Sequence, residues 1–324
     1  MDILSTIQAP IVDDMATLNR IMAEKLHTSN ALINKIVDRY LLTKGKQIRP
    51  LLILLCARLV NNVSPQTILA AVAIELMHNA SLIHDDVVDT TTYRRGKPTI
   101  NAIEDNRVAV LMGDHFVSCA LMCGVETGNM EIISVMGRLG QELAHGEIDQ
   151  IDNARAHRLS MDAYLSVIRH KTASLFRTCM KVGALTAGAD EEATKRLENF
   201  GELLGLCFQI KDDIFDYYED TTIGKPTGND LREGKITLPL LYALTHNNDE
   251  ENERMRKLLD NDVLDAQQIE QLIAYAKAKG GIEYAYDYMQ QLHDEAAALL
   301  DYFPDSPTRQ SLLSLLLFTI SREK

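Results

Sequence analysis

Asp85-Asp86-Val87-Val88-Asp89 and Asp212-Asp213-Ile214-Phe215-Asp216 repeat one spacing, D-D-x-x-D, inside otherwise apolar stretches. Both stretches read as helix, and helical residues four apart lie one above the other on a single face. Asp85 and Asp89 therefore point the same way, as do Asp212 and Asp216. A single acidic run is usually a solvated face. Two runs with apolar flanks would each bury carboxylates that repel one another unless a cation lies between them. Hard oxygen ligands, few in number and leaving positions open, suit Mg²⁺ shared with substrate phosphates.

Composition narrows the classes. With 324 residues, 46% of them hydrophobic, the chain can build one large core or two domains. No Gly/Ser/Pro-rich linker divides it, so residues 1–324 are expected to form a single domain. There are 8 prolines and no Trp, and no proline falls between Pro98 and Pro226. Such a run, rich in Ala, Leu, Met, Glu and Lys, favours helices. The net charge of −13 argues against a nucleic-acid partner. It also requires that any phosphate substrate be met by metal and a local basic cluster.

The 5 cysteines, Cys56, Cys119, Cys123, Cys179 and Cys207, include no C-x-x-C pair and read as reduced thiols of a cytoplasmic protein. The N-terminus lacks the basic region of a signal peptide. The most apolar stretch, Leu312 to Ile320, is too short to span a bilayer and reads as a terminal core helix. No transmembrane segment is expected.

The periodicity predicts one or two helices over Met15–Leu42, then Pro50–Val60 and Thr67–Val88, with a polar loop over Asp89–Pro98. Further helices are expected over Asn101–Gly124, Met130–Ile151, Met161–Gly188 and Glu191–Tyr218. A glycine-rich charged loop, Thr221–Lys235, precedes the remaining helices. Each acidic cluster thus sits towards the end of a helix and is followed by a loop carrying Lys or Arg.

Basic candidates are few: Lys46 and Arg49 in GKQIRP, Arg94 and Arg95 in YRRGKP, Lys171 in RHKTASLF, and Lys225 and Lys235 around the second loop. Arginine suits planar, bidentate phosphate binding. On spacing alone, an exposed charged turn explains Arg94-Arg95 as well as a diphosphate site does. Gln209 and Phe208 share roughly the Asp212 face, and Phe208 reads as ordinary core. His78 and His84 read as hydrogen-bonded, partly buried imidazoles.

In order, GKQIRP, LIHDDVVDTTTYRRGKPT, HKTASLF, FQIKDDIFD and GKPTGNDLREGKITLP resemble the signature set of trans-isoprenyl diphosphate synthases, and the likeness spans Lys46 to Pro239. It is most similar to bacterial long-chain, octaprenyl-type members. The resemblance implies an all-α bundle around a deep central cavity, usually a homodimer, with no transmembrane segment and at most transient membrane contact for product release. It implies three Mg²⁺ per active site, with Mn²⁺ as an alternative.

By this resemblance Asp85, Asp89 and Asp212 are the metal ligands, with Asp86, Asp213 and Asp216 in support. Arg94, Lys171 and Lys225 match contacts to an allylic diphosphate; Lys46, Arg49, His78 and Arg95 match an isopentenyl diphosphate site. Thr172 and Gln209 match positions near the cationic carbon, and Lys235 is a further diphosphate candidate. Ala80 and Ser81 stand where short-chain members carry aromatic residues, which favours a longer product. Ser81 lies one turn, about 5.4 Å, before Asp85. Met77, Ile74, Met122, Cys123 and Met136 are candidates for the deeper tunnel wall. The implied activity is repeated condensation of isopentenyl diphosphate onto an allylic primer, farnesyl diphosphate, giving an octaprenyl-like chain for quinone side chains. Alternatives are a geranylgeranyl-length product, a non-catalytic subunit of a heteromeric synthase, and a cyclase or head-to-head condensing enzyme.

Overall fold

Apolar residues at three- and four-residue spacing produce helices along nearly all of the chain. The computed structural model describes residues 3–42, 45–156, 158–218, 227–261 and 263–322. Among these the only strands are two residues long, Tyr93–Arg94 and Lys97–Pro98. The all-α expectation is met.

The helix that carries the first cluster, Pro65–Val88, has a boundary set by local chemistry. The Ser64 hydroxyl accepts from the Thr67 backbone N–H at 3.1 Å, and Thr67 Oγ1 accepts from the Ser64 N–H at 3.2 Å. This reciprocal cap and the proline at the first helical position fix the start. Ala70, Ala71, Val72, Ala73 and Ile74 are all buried, so the helix is enclosed on most sides. It packs most extensively along Asn106–Glu126. Its far end delivers Asp85, Asp86 and Asp89 to the protein surface layer, Asp86 buried and Asp89 exposed.

Two sequence expectations change in detail and one is resolved. Met15–Leu42 is two helices, Val12–Leu26 and Ala31–Leu41, because the Asn30 side chain accepts from the Leu32 and Ile33 N–H groups and starts the second. The polar loop after Asp89 contains a hairpin pairing Tyr93 with Pro98 and Arg94 with Lys97. Its turn is Arg95-Gly96, with φ of 53° and 72°, both positive as a type I′ turn demands. The segment Met161–Gly188 is interrupted by a π-helical turn at Arg169–Ala173.

The contacts divide the chain into two compact units. One comprises Met1–Arg138, Thr178–Glu198 and Phe303–Leu312; the other comprises Leu139–Arg177, Asn199–Tyr302 and Leu313–Lys324. Each contains one acidic cluster. Two helices, Pro65–Val88 and Asn106–Glu126, are long and apolar enough to cross a membrane by length and composition, and 72% and 39% of their apolar windows are buried within the fold.

Candidate active site

In the first unit, the cluster is divided by its own helix. Asp85 and Asp89 share one face, four residues apart. Asp86 turns away and receives Arg94, whose Nε donates at 2.8 Å and whose Nη2 lies 2.7 Å from the same carboxylate oxygen. Asn101 and Thr99 pin the following loop through the Asp86 and Thr91 carbonyls. Asp86, Arg94 and Arg95 line a cavity of about 90 Å³ with Tyr40 and Lys97. Lys46, Arg49 and His78 are not among its lining residues.

Backbone strain gathers around these residues. Gln47, Thr90 and Arg95 are the non-glycine residues with positive φ among those described. A left-handed non-glycine residue costs about 1–3 kcal/mol and persists only where its surroundings insist. Gln47 is held by reciprocal amide hydrogen bonds with Asn19, 3.0 and 3.3 Å. Gly45 admits the Arg95 guanidinium against the backbone; a Cβ there would lie 2.6 Å from its Cζ. The segment bearing Lys46, the helix start bearing Arg49 and the turn bearing Arg95 are thereby held in defined conformations.

In the second unit, Tyr164, Lys171, Thr172, Gln209, Asp213 and Lys235 line a cavity of about 160 Å³. Lys171 and Thr172 reach it from the π-helical turn Arg169–Ala173, a distortion that recurs at functional sites. Two glycines let that turn lie close. A Cβ at Gly146 would come 2.7 Å from the Lys171 amide nitrogen, and one at Gly205 would come 2.6 Å from the Ala173 Cα. Lys171 Nζ sits 2.5 Å from Glu147 and donates to Gln150 at 3.2 Å. Lys235 pairs with Glu233.

The second cluster has a separate partner for each carboxylate. Asp212 meets Arg322 at 2.6 Å, and that guanidinium lies 4.2 Å over the Phe208 ring. Asp213 is buried and accepts from Tyr164 and Gln209. Asp216 accepts from the backbone N–H groups of Asn229 and Asp230, both at 3.0 Å, and so caps the short helix Asn229–Arg232. Burial, reinforced by Asp230, pushes the Asp213 carboxyl up to about 8; burial and Asp216 push Asp230 up to about 6. Burial first, and a neighbouring carboxylate second, thus disfavour the charged form of both groups.

Several sequence readings need correction or addition. Gln209 bonds Asp213, one helical turn on, rather than serving the Asp212 side. Phe208 is more than core packing, since it carries Arg322 on its face. Met122 is 58% exposed in the single chain, whereas Cys123 and Met136 are buried. Lys225 lies outside the described residues. Tyr164, Asp230 and Arg322 were not anticipated; only Asp230, inside GKPTGNDLREGK, stood in a quoted motif.

The donors on offer to a metal are all carboxylate oxygens, the hard set that Mg²⁺ prefers, and a cation nearby would favour the charged forms of Asp213 and Asp230. Among the described residues no three His, Cys, Asp or Glu side chains converge into a ready metal group.

Helical architecture, two aspartate clusters at helix ends and cationic side chains on the cavity walls make surroundings suited to an anionic substrate. The polyprenyl synthetase family matches residues 30–276. Octaprenyl diphosphate synthase of Escherichia coli (strain K12) is 34% identical over 322 residues, covering 99% of each chain. Heptaprenyl diphosphate synthase component 2 of Geobacillus stearothermophilus is 35% identical, covering 96% of each. The crystal structure of polyprenyl synthase from Caulobacter crescentus CB15, complexed with calcium and isoprenyl diphosphate, superposes with a TM-score of 0.90 at 33% identity, covering 98% of each chain. The chain belongs to the polyprenyl synthetase family and is a trans-prenyltransferase.

His78 gives a prediction from the first unit. Burial, with Arg49, Arg95 and Arg94 adding to it, holds its imidazole well below the ordinary 6.5. The folded state thus keeps His78 neutral where the unfolded chain protonates it. Stability should fall as pH drops below about 6.5, by up to about 1.4 kcal/mol per pH unit from this residue. Urea unfolding between pH 7 and 5 should show a flatter pH slope for His78→Asn than for wild type; identical slopes would contradict the assignment.

Proposed function

We propose that the chain synthesises a long all-trans polyprenyl diphosphate by successive head-to-tail condensation of isopentenyl diphosphate onto farnesyl diphosphate, with an octaprenyl-like product that supplies quinone side chains. The observation that carries this reading is the 160 Å³ cavity, where Lys171 and Lys235 flank a neutral polar wall of Thr172 and Gln209. Cations suit a departing diphosphate, and a neutral, electron-rich wall suits the carbocation it leaves behind. The long-chain names among the relatives support the product class.

Metal binding is assigned to Asp85 and Asp89 in one unit and Asp212 in the other, with Asp86, Asp213 and Asp216 held in support by their own partners. Mg²⁺ held there would supply positive charge against the leaving diphosphate; calcium in the related Caulobacter structure supports a divalent ion. Arg94, Lys171 and Lys235 orient the allylic diphosphate. Lys46, Arg49, His78 and Arg95 receive isopentenyl diphosphate. The proton lost after condensation goes to released pyrophosphate, because Asp213 is engaged by two donors and Lys171 and Lys235 are paired with carboxylates.

A second copy of the chain is the expected partner, since helix Asn106–Glu126 exposes Leu111, Leu121, Met122 and Val125. A heteromeric subunit is the runner-up, suggested by the relative named component 2. Purified chain should convert labelled isopentenyl diphosphate with farnesyl diphosphate and Mg²⁺ unaided, and Asp85→Ala or Asp212→Ala should cut turnover by ~10²–10³. Turnover only after adding a second protein would favour the runner-up, and full activity in EDTA would remove the metal assignment.

Product length is assigned to the face of helix Pro65–Val88 before the aspartates. Ala80 is buried, and the half-buried Ser81 turns its hydroxyl back to the His78 carbonyl at 2.8 Å. Neither side chain projects far from the helix. Ala80→Tyr or Ser81→Phe should shorten the product to farnesyl or geranylgeranyl length while the first condensation survives, as chromatography of dephosphorylated products would show. Active variants that still make the full-length chain would place the tunnel elsewhere.

A further inference from the structure

We propose that Glu202 is a positioning residue that selects the π register of Arg169–Ala173, and with it the direction in which Lys171 and Thr172 enter the cavity. The consequence for catalysis rests on the prenyl-transfer reading; the register lock rests on the second unit's own geometry.

An α-helix turns about 100° per residue, so residues eight apart point about 80° away from one another. Residues seven apart share a face. Arg169 and Arg177 are eight apart, yet both reach one carboxylate on helix Glu191–Phe215. Arg169 Nε donates to Glu202 Oε1 at 2.8 Å, and Arg177 Nη1 donates to Glu202 Oε2 at 3.1 Å. They meet there because the π turn between them takes up one extra residue. In a continuous α-helix one of the two arginines would be carried off the face that Glu202 meets. The two-pronged contact is therefore specific to the register. Arg177 is anchored on its other side as well, where Nη2 donates to both Glu142 oxygens at 2.6 and 2.7 Å.

Other contacts make the turn possible without choosing it. The Ser174 N–H donates to the Arg169 carbonyl, five residues back, and passes over the His170 carbonyl that an α-helix would use. The Ser174 hydroxyl donates to that His170 carbonyl at 2.5 Å, so the acceptor is not left wanting. Gly146, one turn after Glu142, and Gly205, three residues after Glu202, leave room for the backbone of the turn. Room alone would admit an α turn too, and the arginine bridge decides between the two. Glu142, Arg177 and Glu202 are not among the cavity's lining residues, whereas Lys171 and Thr172 are. The three charged groups thus act through the turn. Slippage into α register would rotate the chain on one side of the turn by about 100° relative to the other, and would redirect Lys171 and Thr172 with it.

The test compares the full-length chain with its variants by kinetics for each diphosphate and by amide hydrogen exchange at residues 169–174. Glu202→Gln leaves one acceptor oxygen, enough for one arginine but not for both. It should speed exchange at residues 169–174 selectively. It should also raise KM for the allylic diphosphate about 10-fold or more, while KM for isopentenyl diphosphate holds. Arg177→Lys cannot span two carboxylates, and gives the same expected pattern should Glu202→Gln fail to fold. In a Lys171→Ala background the KM effect of Glu202→Gln should disappear. Glu192→Gln, which breaks an exposed pair with Arg196 on the same helix, should change nothing. Unchanged exchange at residues 169–174 in both variants would overturn the lock. Faster exchange with an unchanged allylic KM, or a KM cost that persists in Lys171→Ala, would overturn the positioning role. Wild-type chain without turnover would overturn the prenyl-transfer reading instead, and the exchange measurement would still decide the lock.

Discussion

Crowding of like charge at two helix ends is the constraint to which much of this structure answers. Both aspartate clusters occupy the C-terminal turns of long helices, Pro65–Val88 and Glu191–Phe215. The helix dipole already places negative potential there. Carboxylates so placed are unfavourable for folding unless each finds a compensating group, and the described residues supply them singly. Asp86 has Arg94, Asp212 has Arg322, Asp213 has Tyr164 and Gln209, and Asp216 has the N-terminus of a short helix. Around Asp213 and Asp230 burial first, and neighbouring carboxylates second, push the carboxyls towards their neutral forms. A divalent ion placed there would favour the charged forms.

The same constraint explains why rigid, strained backbone surrounds the clusters. Left-handed Gln47, Thr90 and Arg95 hold basic side chains in loops that would otherwise spend binding energy on becoming ordered. The π-helical turn at Arg169–Ala173 does the equivalent for Lys171 and Thr172. In both units the side chains proposed to meet phosphate or cation are positioned by backbone irregularity. The neighbouring helices serve as the frame.

Much of this was legible in the sequence. The helices follow from apolar periodicity, and the D-D-x-x-D spacing follows from the requirement for carboxylates on one helical face. The clusters' basic partners were partly legible where they lie within a few residues, as Arg94 does after Asp86. Arg322 was not, because it joins Asp212 across 110 residues of sequence and no local pattern encodes that meeting. Tyr164 was hidden for the same reason, standing among Leu165, Val167 and Ile168 as an ordinary aromatic on an apolar helix face. The π turn has no compositional signature in RHKTA; its trace is the pair of glycines, Gly146 and Gly205, that only the packing reveals. The Arg95-Gly96 hairpin turn was concealed by an arginine adopting a conformation usually left to Asn, Asp or Gly.

The link between the aspartate clusters and substrate is measured most directly by calorimetric binding of a non-ionising allylic thiodiphosphate to the intact chain, with Mg²⁺ and with EDTA. If the aspartate clusters hold the diphosphate through divalent metal, tight binding appears only with Mg²⁺. In EDTA the ligand then meets uncompensated carboxylates and binds at least about 100-fold more weakly, a difference of about 2.7 kcal/mol. Equal affinity in both conditions would contradict that link, and would mean that arginine and lysine side chains alone bind the diphosphate.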